Sequence, residues 1–140
     1  MDNLAILYSA EPVPFVDTDS DSIDDNWEMQ YFHSLTNANA STDSEPDGFL
    51  DLFEYKAGTD PTNALSGLFI DNFAKGGVPN EFVVTWQSVD GKTYRVVSAP
   101  NLQYGPWTTN VSGIAATAPE NTETVSSAAD ATFFGIELEE

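Results

Sequence analysis

The chain has 140 residues, 23 of them acidic and 4 basic, with no cysteine and a formal net charge of −19. That charge excludes nucleic acid and anionic membrane surfaces as natural partners, no apolar run is long enough to span a bilayer, and neither disulfides nor thiol chemistry is available. Apolar content, at 41%, is ordinary for a globular chain, so one domain, or two small ones sharing a core, is expected rather than disorder.

Three segments are read along the chain: an extended arm over 1–16, a double acidic-loop segment over 17–63, and a β module over 64–140. Residues 3–8, NLAILY, form a short apolar run ahead of Pro12 and Pro14, which forbid a helix and favour an extended path. The run reads either as a first strand of the β module or as an arm that adds to a neighbouring molecule. MDNLAILYSA lacks a basic region and makes a poor signal peptide, so a removed signal or a fragment is expected.

The stretch DTDSDSIDDNWE opens at Asp17, and DSEPDGFLDLFE opens at Asp43. Each is a twelve-residue loop with oxygen-bearing side chains at positions 1, 3, 5, 9 and 12, the spacing of a calcium loop of the EF-hand kind. In the first loop these are Asp17, Asp19, Asp21, Asp25 and Glu28, with the Ile23 carbonyl at position 7. In the second they are Asp43, Glu45, Asp47, Asp51 and Glu54, with the Phe49 carbonyl at position 7. A hard cation wants about six to eight oxygens, and alternate carboxylates on a tight loop supply them. One DxDxD is a common accident of acidic chains, but two in register, each ending in Glu, predict two bound calcium ions. Position 6 calls for a positive φ; Gly48 suits it, whereas Ser22 costs on the order of 1 kcal/mol.

Each loop should feed a helix. The first is expected over Asp25–Leu35, with Trp27, Tyr31 and Leu35 on one apolar stripe widened by Phe32. His33, the one histidine, defaults to the surface. After the linker TNANAST, in which Asn39 opens a glycosylation sequon, a second helix is expected over Leu50–Ala57, burying Leu50, Phe53 and Ala57 and capped by Gly58. Asp60 is either a further metal ligand or part of an Asp-Pro turn.

From Leu68 the apolar period becomes two. Strands are expected at 68–73, 81–87, 93–99, around Trp107–Val111, and at 131–138, with a weak edge strand and loop within 112–130. Asp90-Gly91 signals a hairpin between the second and third strands, and Gly105-Pro106 a further turn. The fold class is therefore mainly β, a small antiparallel β-sandwich with the two loops and two short helices at one end.

DTDSDSIDDNWE and DGFLDLFEYKAGTDPTN resemble the thrombospondin type 3-like and dockerin-like calcium repeats of secreted bacterial proteins. VTWQSVDGKTYRVVSAPNLQYGPW resembles the small β module that often follows them. The chain departs from the family pattern at Ser22, where Gly is usual, and at Glu45, where Asp is usual. The resemblance implies a calcium-stabilised extracellular or cell-surface accessory or structural module rather than a catalyst.

The residues agree with that, since no phosphate loop, HExxH or GxSxG is present and the patterned carboxylates are taken up as metal ligands. The leading expectation is a non-catalytic structural module, self-assembling into a surface filament by N-terminal strand exchange. The alternative is a carbohydrate-binding or spacer module from the C-terminal end of a larger secreted hydrolase, with Tyr104 and Trp107 as its sugar-stacking residues and a polysaccharide as partner. A soluble calcium sensor is the least favoured reading. Asn110 opens a second sequon. Trp86 and Tyr94, in alternating strands, are expected in the core.

Overall fold

A computed structural model describes residues 12–104, 106–127 and 133–139. Two short helices, α1 (Asp25–Tyr31) and α2 (Asp51–Ala57), precede six strands: β1 (Ile70–Lys75), β2 (Glu81–Gln87), β3 (Thr93–Ala99), β4 (Thr108–Ala115), β5 (Glu120–Ser126) and β6 (Phe133–Glu139). The strands form two antiparallel three-stranded sheets, ordered β1-β2-β5 and β4-β3-β6. The protein is mainly β, a small antiparallel sandwich. The expected strand over 3–8 lies outside the described residues, as does Gly105 of the expected turn.

The core follows from the period-two pattern. Val84 and Trp86 of β2 and Val125 of β5 cluster with Tyr94 and Val96 of β3 and Ile114 of β4. Trp86 and Tyr94 meet edge to face, with ring centroids 5.8 Å apart, the arrangement aromatic quadrupoles favour. The Tyr94 hydroxyl accepts a hydrogen bond from the Val89 N–H at 2.9 Å, so its polar end is satisfied. Ala57 and Leu68 join the same cluster, which is how the helical segment is anchored to the sandwich.

Several expectations need correction. Asp90-Gly91 does turn the chain, with Gly91 at φ 82° and the Lys92 N–H bonded to the Val89 carbonyl. It is not a hairpin, because β2 and β3 are the central strands of opposite sheets. A hairpin of the Asp-Gly type needs a two-residue loop; here residues 88–92 cross from one sheet to the other, held by the Tyr94 hydroxyl. Within 112–127, more of the chain is strand than expected. β4 runs on to Ala115, and β5 pairs with β2 along all seven residues. Only Asn121 and Val125 of β5 are buried, too few apolar positions to announce a strand. Asn121 ties the β4–β5 turn instead, accepting from the Thr117 N–H (2.7 Å) and donating to the Ala115 carbonyl (3.0 Å).

α1 ends at Tyr31, earlier than the expected Leu35, because His33 adopts a left-handed φ of 54° directly after the Phe32 cap. The aromatic stripe is half-buried and stands outside the core cluster, with Leu35 beyond the helix. Trp27 contacts Tyr31 and Phe32 and reaches across to Tyr55 of α2, centroids 5.5 Å apart. α2 buries Asp51, Glu54 and Ala57, whereas Leu50 and Phe53 are 43% and 38% exposed. The face turned inward is therefore the acidic one, and the expectation of buried Leu50 and Phe53 fails. Phe53 stacks on Phe49, which stacks in turn on Phe69. Gly58 caps α2 at φ 75°, and an added Cβ would lie 3.1 Å from Val89 Cγ1.

Replacing fully buried Trp86 with alanine should cost about 3–5 kcal/mol of stability. Leu65→Ala, at a side chain 78% exposed, should change it by no more than about 0.5 kcal/mol. Guanidinium unfolding midpoints of the two variants check this.

Candidate metal centre

The two acidic loops are built on the same hydrogen bonds at the same positions. Asp17 accepts from the N–H groups of Asp21 (3.1 Å) and Ser22 (3.0 Å); Asp43 accepts from those of Asp47 (3.2 Å) and Gly48 (3.0 Å). Asp21 accepts from the Ile23 N–H (2.9 Å) and Asp47 from the Phe49 N–H (2.8 Å). At position 9, Asp25 accepts from the N–H and hydroxyl of Thr18, and Asp51 from those of Ser44. Each loop then closes by a backbone bond from position 9 to the residue before position 1: Asp25 to Val16 (2.7 Å) and Asp51 to Thr42 (2.8 Å). Main-chain donors thus engage both oxygens of Asp17 and Asp43 and one oxygen of Asp21 and Asp47.

Position 6 is left-handed in both loops, at φ 78° for Ser22 and 98° for Gly48. Ser22 therefore adopts the strained conformation that the glycine position demands. The loops differ at position 4. Ser20 is also left-handed, at φ 64°, whereas the second loop has Pro46 there, whose ring holds φ negative.

Three carboxylate groupings bring oxygens within 4.8 Å of one another: Asp17, Asp19 and Asp25; Asp19, Asp21 and Glu28; and Glu45, Asp51 and Glu54. The first loop is brought together more completely, since Asp43 and Asp47 fall outside the second loop's grouping. The Ile23 side chain is fully buried and that of Phe49 partly so, which anchors the backbone at both position 7 carbonyls.

The position 12 glutamates are the physical anomaly. Glu28 and Glu54 are each 0% exposed. Neither oxygen of Glu28 has a hydrogen-bond partner, nor does either oxygen of Glu45, Oε2 of Glu54 or Oδ2 of Asp21. Glu54 Oε1 accepts only from the Thr59 hydroxyl, at 3.1 Å. A buried carboxylate without a partner is costly, and unpartnered oxygens from several carboxylates converging on one point are what an oxygen-loving cation requires. The residues present fit such an ion. Burial, with Asp21, Asp19, Asp25 and Asp17 nearby, pushes Glu28 up to about 7. Burial, and then Glu45, pushes Glu54 up to about 8. Glu45 is raised too, by burial first and then by Asp47 and Asp51.

Several contributors were not singled out in the sequence. Thr18 and Ser44 hold the position 9 aspartates, and a hydroxyl at position 2 in both loops was the signal. Asp24 accepts from the Val16 N–H (2.9 Å) and caps α1 through the Asn26 N–H (2.8 Å). Its carboxyl is lowered by the Val16 bond first, and it has no counterpart in the second loop, where Leu50 occupies the cap without a side-chain bond. Asp60 accepts from the Thr62 N–H and hydroxyl; it shapes the turn and joins none of the three groupings.

The remaining candidates lie apart. Tyr104 and Trp107 are 79% and 42% exposed, near exposed Leu102 and Phe133. The Asn39 side chain accepts from Ser41, and Asn110 Nδ2 donates to the Ser126 carbonyl at 3.1 Å. His33 is exposed.

A pH dependence follows for the metal-free protein. Glu28 and Glu54 titrate above their ordinary 4.5 when folded, so the folded state holds those protons more tightly than the unfolded one. The stability they contribute is complete below about pH 4.5 and is lost as pH rises through about 7 and 8. Asp24, lowered from 3.8, acts only at lower pH. In chelator, the melting temperature should therefore fall between pH 5 and 8. Glu28→Gln and Glu54→Gln should flatten that fall, as calorimetric scans across the range would register.

Among the described residues no helix is long and apolar enough to cross a membrane. In comparisons with known proteins, no family model, no curated protein and no solved structure matches the chain.

Proposed function

We propose that the protein is a non-catalytic, calcium-stabilised structural module of the cell exterior, of the kind its thrombospondin type 3-like and dockerin-like loops resemble. The observation that carries this reading is the pair of fully buried glutamates, Glu28 and Glu54, whose oxygens lack adequate partners within the protein. Asp17, Asp19, Asp21, Asp25, Glu28 and the Ile23 carbonyl would hold one ion. Asp43, Glu45, Asp47, Asp51, Glu54 and the Phe49 carbonyl would hold the other. An all-oxygen, carboxylate-rich set suits calcium better than softer transition metals, and a flexible loop suits it better than magnesium, which demands strict octahedral geometry. The ion's role is electrostatic: it neutralises carboxylates that otherwise repel one another and locks both loops onto the helices. Weak sites of this type fill where calcium is plentiful, outside the cell.

Titration calorimetry should find two calcium ions per chain. At 100 times Kd each site adds about 2.7 kcal/mol, which for a domain of this size raises the melting temperature by roughly 10–20 °C in total. Ser22→Gly should tighten the first site, and Gly48→Ala should weaken the second. An unchanged melting temperature in millimolar calcium would refute the reading.

The exposure of Tyr104 and Trp107 supports a second reading, a polysaccharide-binding surface. Tyr104→Ala with Trp107→Ala should then abolish retention on an insoluble glycan while leaving the calcium-induced rise in melting temperature intact. Equal retention of wild type and variant would remove it.

A further inference from the structure

β6 is an edge strand, paired with β3 along all seven of its residues without a register shift. Among the described residues nothing pairs with its other side. β4, at the other edge of the same sheet, meets β3 with register shifts, and β1, an edge of the second sheet, carries a bulge between Ile70 and Asn72, a usual protection against edge-to-edge pairing; β6, like β5, has none.

A groove of about 540 Å³ runs along the open side of β6, touching Ile136, Glu137, Leu138 and Glu139 and walled opposite by Phe53 and Lys56 of α2 and by Leu68. Successive side chains of a strand point to opposite faces. Four consecutive residues of β6 touch the groove, so it meets the strand's edge, and Arg95 of β3, paired with Glu137, extends it over the face those two side chains share. A smaller hollow continues it past Tyr55 and Lys92.

The groove's charge is unlike the rest of the molecule. Three of the chain's four cations, Lys56, Lys92 and Arg95, line these two hollows. The β6 carboxylates among them are engaged, Glu137 with Arg95 at 2.6 Å and Glu139 with the Gly113 N–H. With three cations against two carboxylates, the groove thus offers a backbone edge, an apolar wall and a small positive excess in a protein of net charge −19.

One segment of the chain matches all three. Residues 1–11 lie outside the described structure and contain the apolar run NLAILY between Asp2 and Glu11, with no lysine or arginine. The described residues that follow are exposed, Val13 at 74% and Phe15 at 60%.

We propose that the groove between α2 and the free edge of β6 receives residues 3–8 of a second copy of this chain, added to β6 as a further strand. The inference rests on the structural-module reading and deepens it by naming the partner and the acceptor. Main-chain hydrogen bonds would supply affinity, the Phe53, Leu68 and Leu138 surface would take alternate apolar side chains, and the cations would select an acidic arm. Donor and acceptor are different surfaces, so the contact is head to tail and can repeat without closing.

The test uses the full chain in millimolar calcium over a range of protein concentration. Amide exchange at 133–139 should slow as concentration rises, in step with larger species in sedimentation velocity. Ile6→Pro, which removes a donor and cannot lie in a ladder, should abolish both effects. Lys56→Glu should weaken association roughly fivefold, about 1 kcal/mol. Protection that is strong but independent of concentration would place the arm on its own sandwich and overturn the proposal. So would absent protection, or unchanged assembly by Ile6→Pro. The calcium-induced rise in melting temperature, read on Ile6→Pro itself, separates the two readings: a rise without assembly in the wild type refutes the groove alone, and no rise refutes the module reading.

Discussion

The structure depends on two carboxylates held where a carboxylate should not be. Glu28 and Glu54 occupy the first turns of α1 and α2, turned inward and shut off from water. Everything around them serves to bring further oxygens to the same points. Main-chain N–H groups aim Asp17, Asp21, Asp43 and Asp47, and hydroxyls restrain Asp25 and Asp51. Without a cation the arrangement is a concentration of like charge in a low-dielectric pocket. With one, those charges would be neutralised. With no cysteine to staple a small acidic fold, a metal is the remaining means of fastening it.

The two loops are alike because their bonds are local. Position 1 to positions 5 and 6, position 5 to position 7, and position 9 to position 2 all lie within one loop, so a dozen residues carry nearly all the information needed to build it. That locality made the loops legible: the spacing of Asp17, Asp19, Asp21 and Glu28 could be read directly, and so could the left-handed requirement at Ser22 and Gly48. Strands with alternating large apolar residues, such as β2 and β3, were equally readable. Decisions taken between distant segments were hidden. β2 and β3 divide between two sheets because each is buried on partners far along the chain, and nothing within Asp90-Gly91 announces this. β5 is a strand because β2 offers it an edge, not because ENTETVS prefers one. In α2 the apolar pattern misled, since the inward face carries the carboxylates Asp51 and Glu54 and leaves Leu50 and Phe53 outside.

The helical segment is joined to the sandwich through few but specific contacts. Ala57 enters the core beside Leu68 and Trp86. Gly58 lets the chain pass close to Val89, and Lys92 Nζ bonds the Lys56 carbonyl. Glu54, Ala57 and Gly58 lie within about one turn of one another, so the last carboxylate of the second loop sits directly before the helix residue that enters the core. The aromatic contact from Trp27 to Tyr55 carries the same rigidity back to the first loop.

The bonds at Val16 have a mechanical consequence. The Val16 N–H is held by Asp24, and its carbonyl by the Asp25 N–H, directly before the first acidic position. Tension arriving through residues 12–15 therefore meets the first loop before it reaches any strand. Load passes from there through α1 and the Trp27–Tyr55 contact into α2, and enters the β-sheets last. The acidic segment lies in series between the arm and the sandwich, so the pull that the chain can bear is set by how firmly its loops are closed, and the sandwich is the sheltered end of the line.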